Sequence, residues 1–94
     1  MSFANIIFYS SGKGGRYTPP QTGFRPQINI GGIHTSCVVN SLNGEEFFDF
    51  DKEYNVSLEL MFPDQHELPC KGGDKISLYE GSKLIGEGEI VAES

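Results

Sequence analysis

The chain has no tryptophan and only two cysteines, Cys37 and Cys70. Two cysteines so placed cannot make a disulfide framework and do not form a C-x-x-C pair, so both are expected as buried free thiols. No apolar run approaches the roughly 20 residues a membrane helix needs. The start, Met1 to Tyr9, lacks a basic n-region and a cleavage-site pattern, so no signal peptide is expected and the expected location is the cytoplasm. The most uneven absence is of acid: residues 1–44 hold Lys13, Arg16 and Arg25 but no Asp or Glu. Residues 45–94 hold all thirteen acids against four lysines, so the halves carry +3 and −9, summing to the net −6. Such a polarised chain can present a basic face despite its overall sign.

What is present suits one packed domain. Ninety-four residues that are 37% hydrophobic, with seven Phe and four Tyr, can build a single modest core over positions 1–94 and argue against disorder.

Glycine and proline punctuate the chain into short pieces, and none shows a helical period. Phe3 to Tyr9 is β-branched and aromatic. Phe24 to Ile30 reads as a second strand with Pro26 near its start. Gly31-Gly32 reads as a tight primed turn, or as a strong bend in one strand, leading into a third stretch, Ile33 to Val39. Glu45 to Asp51 is ambiguous and is taken as a short strand entering a loop. Tyr54 to Met61 alternates cleanly, with Tyr54, Val56, Leu58 and Leu60 on one parity. Lys75 to Tyr79, a turn at Glu80-Gly81-Ser82-Lys83, and Leu84 to Val91 follow. In the last strand parity places Leu84, Gly86, Gly88 and Ile90 inward. Inward glycines mark a sharp bend or a close approach of backbones. Six or seven such strands imply an all-β antiparallel sandwich or barrel, and the inward glycines favour the barrel.

Motifs that carry chemistry are weak. Ser10 to Gly15 lacks the upstream glycine and following hydroxyl of a phosphate-binding loop. His34, Cys37, His66 and Cys70 complete a Cys2His2 set by number only. His34 and Cys37 lie three apart on a strand and so face opposite ways. No nucleophile elbow or H-E-x-x-H is present. The expectation is a protein that is not an enzyme and needs no metal or cofactor.

The most distinctive stretch is Gly14-Gly15-Arg16-Tyr17-Thr18-Pro19, followed by Gly23-Phe24-Arg25-Pro26-Gln27. Together with Tyr54 to Leu60 and the ending Tyr79-Glu80-Gly81-Ser82-Lys83-Leu84-Ile85-Gly86-Glu87-Gly88, it resembles domain 3 of elongation factor Tu. That family has Gly-Gly-Arg-His-Thr-Pro, then Gly-Tyr-Arg-Pro-Gln, at this spacing, and the likeness runs from about Phe3 to Val91. It implies a closed six-stranded antiparallel β-barrel standing without the factor's GTPase domain and middle barrel, and therefore no direct binding of GTP. In the family this barrel docks on the T stem of aminoacyl-tRNA, on the exchange partner and on the GTPase domain.

Carried over by position, the resemblance marks Arg16, Gln27, Ser36, Glu80 and Gly81. Tyr17, Thr18 and Arg25 of the same motifs complete the candidate RNA- or partner-binding set. Tyr17 stands where the family has His, Tyr79 where it has Arg, and Ile30 to His34 where it has Phe-Arg-Thr-Thr-Asp. Phe50-Asp51-Lys52-Glu53 replaces the family's Met-Pro-Gly-Asp. The leading expectation is a non-catalytic protein-interaction barrel that imitates domain 3, with a factor-binding protein, a toxin or a GTPase domain as partner. The alternative is a weak RNA-binding module on the tRNA T stem. A third reading is a divergent remnant whose Gly-Arg-Pro stretch serves only to close the barrel.

Overall fold

Each stretch of strict alternation becomes a strand, and the strands close on themselves. A computed structural model describes residues 2–10, 18–60 and 72–93. The strands are β1 (Ser2–Phe8), β2 (Gln27–Ile30), β3 (Ile33–Ser41), β4 (Glu53–Leu60), β5 (Lys75–Glu80) and β6 (Lys83–Glu93). They form a closed antiparallel barrel in the order β1-β4-β3-β2-β5-β6, with no helix among the described residues. Closure leaves no strand with an unpaired edge. No helix of the described residues is long and apolar enough to cross a membrane.

Alternate positions fill the interior. Ala4, Ile6 and Phe8 meet Ile28, Ile30, Val39, Val56, Leu58, Ile76, Leu78 and Ile90, all 2% exposed or less. One end is plugged by rings: Phe8 lies 5.5 Å from Phe24 and 5.3 Å from Phe48, and Phe48 lies 5.1 Å from Tyr54. Edge-on and tilted aromatic contacts of this kind add to the area they bury.

The Gly31-Gly32 turn is as expected: φ is 58° and 82°, the pair of positive values that a two-residue type I′ hairpin demands. Gly86 and Gly88 mark the closest approach of backbones, where β6 crosses β1. A Cβ on Gly86 would lie 2.8 Å from the Ile7 carbonyl oxygen; one on Gly88 would overlap the Asn5 carbonyl oxygen outright.

Three local expectations shift. The second strand is shorter than Phe24 to Ile30, because Pro26 has no N–H to donate; its carbonyl instead accepts from Cys37, and Phe24 makes an isolated bridge to Val39. Glu45 to Asp51 is not a strand. β1 is already paired on both sides, so this segment crosses the barrel end instead. There Phe48 N–H donates to Pro20 and Asp51 N–H to Phe8, while Asp49 N–H donates to the Tyr54 hydroxyl. The parity of the last strand also breaks. Leu78 pairs with Gly86 but Tyr79 with Leu84, so Ile85 is the extra residue of a bulge and is fully buried.

Cys37 is completely buried among these side chains. Burial pushes its thiol up to about 12 from the ordinary 9.0. It should therefore resist alkylation at pH 8 in the native state and react only when denaturant opens the barrel, as peptide mass spectrometry would report. Since the fold favours the neutral thiol, that contribution to stability is complete below pH 9 and is lost as pH rises from about 9 to 12. A urea midpoint that did not fall between pH 8 and about 10.5 would contradict this.

Candidate binding face on strands β3, β2 and β5

The candidate residues come to one face through strand register. The two-glycine turn sets β2 against β3 so that Asn29 faces His34 and Gln27 faces Ser36. On its other side β2 pairs with β5, placing Asn29 beside Ser77 and Gln27 beside Tyr79. Gln27 is thus the middle of a row, Ser36–Gln27–Tyr79, across three strands. Arg25 lies between the Gln27–Ser36 pair and the Phe24–Val39 bridge, so it continues the same outward column and faces Val38. Continued past Gln27–Tyr79, the β2–β5 register brings Arg25 to the Glu80–Gly81 turn, where Gly81 has φ of 63°.

Arg25, Gln27, Ser36 and Glu80 are exposed, and Tyr79 is half-buried. His34 joins them. Its Nε2 lies 3.3 Å from the Gln27 side-chain oxygen, to which it donates when that nitrogen carries the proton, and its ring lies 5.8 Å from that of Tyr79.

The charge asymmetry of the chain has become an asymmetry around the barrel. The outward positions of β2, β3 and β5 are Gln27, Asn29, His34, Ser36, Val38, Asn40, Lys75, Ser77 and Tyr79, and the one carboxylate of these strands is the exposed Glu80 at the end of β5. Those of β4 and β6 include Glu53, Glu59, Glu87 and Glu89. Lys75, at the boundary, pairs with Glu89 at 3.2 Å. Being well exposed, that pair is worth little to stability. Tyr9 donates to Glu87 at 2.7 Å, and this bond, then burial, then the nearby carboxylates of Glu87 and Asp51 push its hydroxyl up to about 12.

Arg25, Gln27, Ser36, Glu80 and Gly81 are therefore brought together. Thr18 is not tied to this row by register. It is exposed three residues before Gln21, which bridges Phe47 at the aromatic end of the barrel. Arg16 and Tyr17 lie outside the described residues, as do His66 and Cys70 of the weighed ligand set. His34 is exposed and Cys37 buried, the opposite facing expected of them. Among the described residues no three His, Cys, Asp or Glu side chains converge on a common point for a metal.

The face offers a guanidinium, several amides, two serine hydroxyls, an imidazole, a phenol ring and the Glu80 carboxylate. Apart from the carboxylate, these groups can donate to phosphate, hydroxyl or carbonyl oxygens and can stack on a flat partner group. His34 and Tyr79 were missing from the candidate set, although the two-residue turn alone would have set His34 diagonally across from Gln27. No protein-family model matches the chain.

Proposed function

We propose that the protein is a non-catalytic binding barrel whose β3–β2–β5 face engages a protein that recognises domain 3 of elongation factor Tu. The partner would be a factor-binding protein, a toxin or a GTPase domain. What supports the reading is the row Ser36–Gln27–Tyr79 with Arg25 beside it, on a face whose strands carry a single carboxylate, Glu80 at the end of β5. Polar side chains held by register on rigid strands are preorganised, so binding them costs little ordering entropy. An arginine and a tyrosine within one patch are also the residue types that dominate interface energies.

A second reading is supported by the same row. Donors at Arg25 and Gln27 with a hydroxyl at Ser36 suit phosphates and 2′-hydroxyls of an RNA minor groove. With few cationic contacts, such binding would be weak and would fall steeply with salt.

One experiment separates them. A photo-cross-linking residue is placed at Tyr79, and in parallel at Glu59 on the acidic side, and each protein is exposed to extract of the source cells. The protein reading expects a specific cross-linked protein from position 79 alone, lost with Gln27→Ala or Arg25→Ala. The RNA reading expects unfractionated tRNA to bind at low salt, weakened about tenfold by the same substitutions. Neither adduct nor tRNA binding, or adducts insensitive to both substitutions, would reject the assignment of this face.

A further inference from the structure

We propose that the outer face of β1 is a second docking site, shaped for a cationic amphipathic helix of a protein partner. β1 and β2 are three strands apart in a ring of six, so this face looks away from the one described above. The outward side chains of β1 are Phe3, Asn5 and Ile7, and with Tyr9 just beyond its end they make a largely apolar stripe on what should be the wet side of the barrel. Two depressions run along it. One, of about 360 Å3, is lined by Ile7 and Tyr9 with Glu53 and Glu87; the other, of about 310 Å3, by Phe3, Leu42 and Val91. Leu42 and Val91 are 47% and 53% exposed, two of the three large apolar side chains so exposed among the described residues.

Carboxylates flank the stripe on both sides. Ile7 faces Glu53 on β4 and Glu87 on β6 in direct register. Those two columns are two strand spacings apart, about 9.6 Å, which matches the roughly 10 Å width of an α-helix with its side chains. Glu89, the next acid on β6, is already matched by Lys75. In the middle of the stripe the Oδ1 of Asn5 is buried with no hydrogen-bond partner among the described residues.

The fold also selects the form of the occupant. A partner strand cannot add to this sheet, because a closed barrel has no edge to pair with. A helix can lie along β1, setting apolar residues on Phe3, Ile7 and Val91 and lysines or arginines toward Glu53 and Glu87. From Phe3 to Tyr9 the stripe spans about 20 Å, the length of about 14 helical residues.

The test uses the full chain, isotopically labelled, and a dye-tagged peptide of about 16 leucines and lysines arranged at helical spacing. A scrambled peptide of equal composition is the comparison. The expected result is saturable binding near about 10 μM at about 0.15 M salt, at least tenfold tighter than the scramble. Amide shifts should concentrate at Phe3 to Tyr9 and Glu87 to Val91. Glu53→Lys with Glu87→Lys should weaken binding more than about tenfold, and Ile7→Asn should weaken it without changing the net charge. Glu46→Lys with Asp49→Lys changes the net charge as much as the first pair and should leave affinity within about twofold. Circular dichroism confirms that each variant is folded. Equal weakening by both lysine pairs, shifts centred on β2, or no saturation would overturn the proposal. So would a free chain that sediments as a dimer with β1 protected, since the occupant would then be a second copy.

Discussion

Gly88→Ala should leave the chain without a cooperative unfolding transition. The added Cβ would overlap the Asn5 carbonyl oxygen and sit 3.0 Å from both the Asn5 carbonyl carbon and Ile6 Cα. Overpacking a core usually costs about 1–3 kcal/mol, because side chains can shift to make room. Here the obstruction is the backbone of β1, held by ladders to β4 and β6 at once. The expected loss exceeds about 4 kcal/mol, against a total of roughly 5–14 kcal/mol for a domain of this size.

Two other glycines calibrate the effect. At Gly86 the Cβ meets the Ile7 oxygen at 2.8 Å and Phe8 Cδ1 at 3.1 Å, and the ring can yield in part, so about 2–3 kcal/mol is expected. At Gly32 nothing lies within 4 Å and only its φ of 82° opposes a side chain, worth about 1 kcal/mol. Urea unfolding followed by circular dichroism should give Gly86→Ala a lower midpoint than Gly32→Ala, and Gly88→Ala no cooperative transition at all. If Gly88→Ala matched Gly32→Ala, the close crossing of β1 and β6 would not be what requires glycine.

Phe48→Ala should be the most damaging truncation outside the strands. Phe48 is fully buried and touches both Phe8 and Tyr54, whose hydroxyl in turn accepts from Asp49. Removing the ring costs transfer energy and leaves a cavity at the end of the barrel, about 3–5 kcal/mol. In a domain of this length that lowers the melting temperature by roughly 15–30 °C. Phe47, its neighbour, is 51% exposed, and Phe47→Ala should change stability by less than about 0.5 kcal/mol. Equal melting shifts for the two would mean that the aromatic plug is not part of the core.

This pair also shows where reading the sequence stops. In Tyr54 to Leu60 alternation alone identifies the buried face, since a strand shows its two sides as two parities. Even there Ser57 is 6% exposed despite its polar parity, because Phe3 and Asn40 flank it on the neighbouring strands. Between Glu45 and Asp51 no local period separates Phe47 from Phe48. Their fates depend on a segment that crosses the barrel end, a long-range fact. Ile85 was hidden in the same way, because a bulge in β6 is set by its fit to Leu78 and Tyr79 and not by its own neighbours. Much of the site, by contrast, was within reach. A two-residue turn determines every pair of the hairpin by addition, so Gln27 with Ser36 and Asn29 with His34 follow from Gly31-Gly32. The contribution of β5 does not follow, since Tyr79 reaches Gln27 only after the barrel closes.

The seam between β1 and β6 has a consequence in time. It joins Ser2 to Glu93 and Phe8 to Gly86, among the widest separations along the chain that the barrel contains. Loop-closure entropy must be overcome before such contacts return any energy, which slows folding. The strand synthesised first is thus also the one that waits longest for its second partner. Until β6 arrives, β1 and β4 can at most form an open sheet whose apolar face and free edge are exposed. That interval, and not the finished barrel, is when the protein is most open to aggregation.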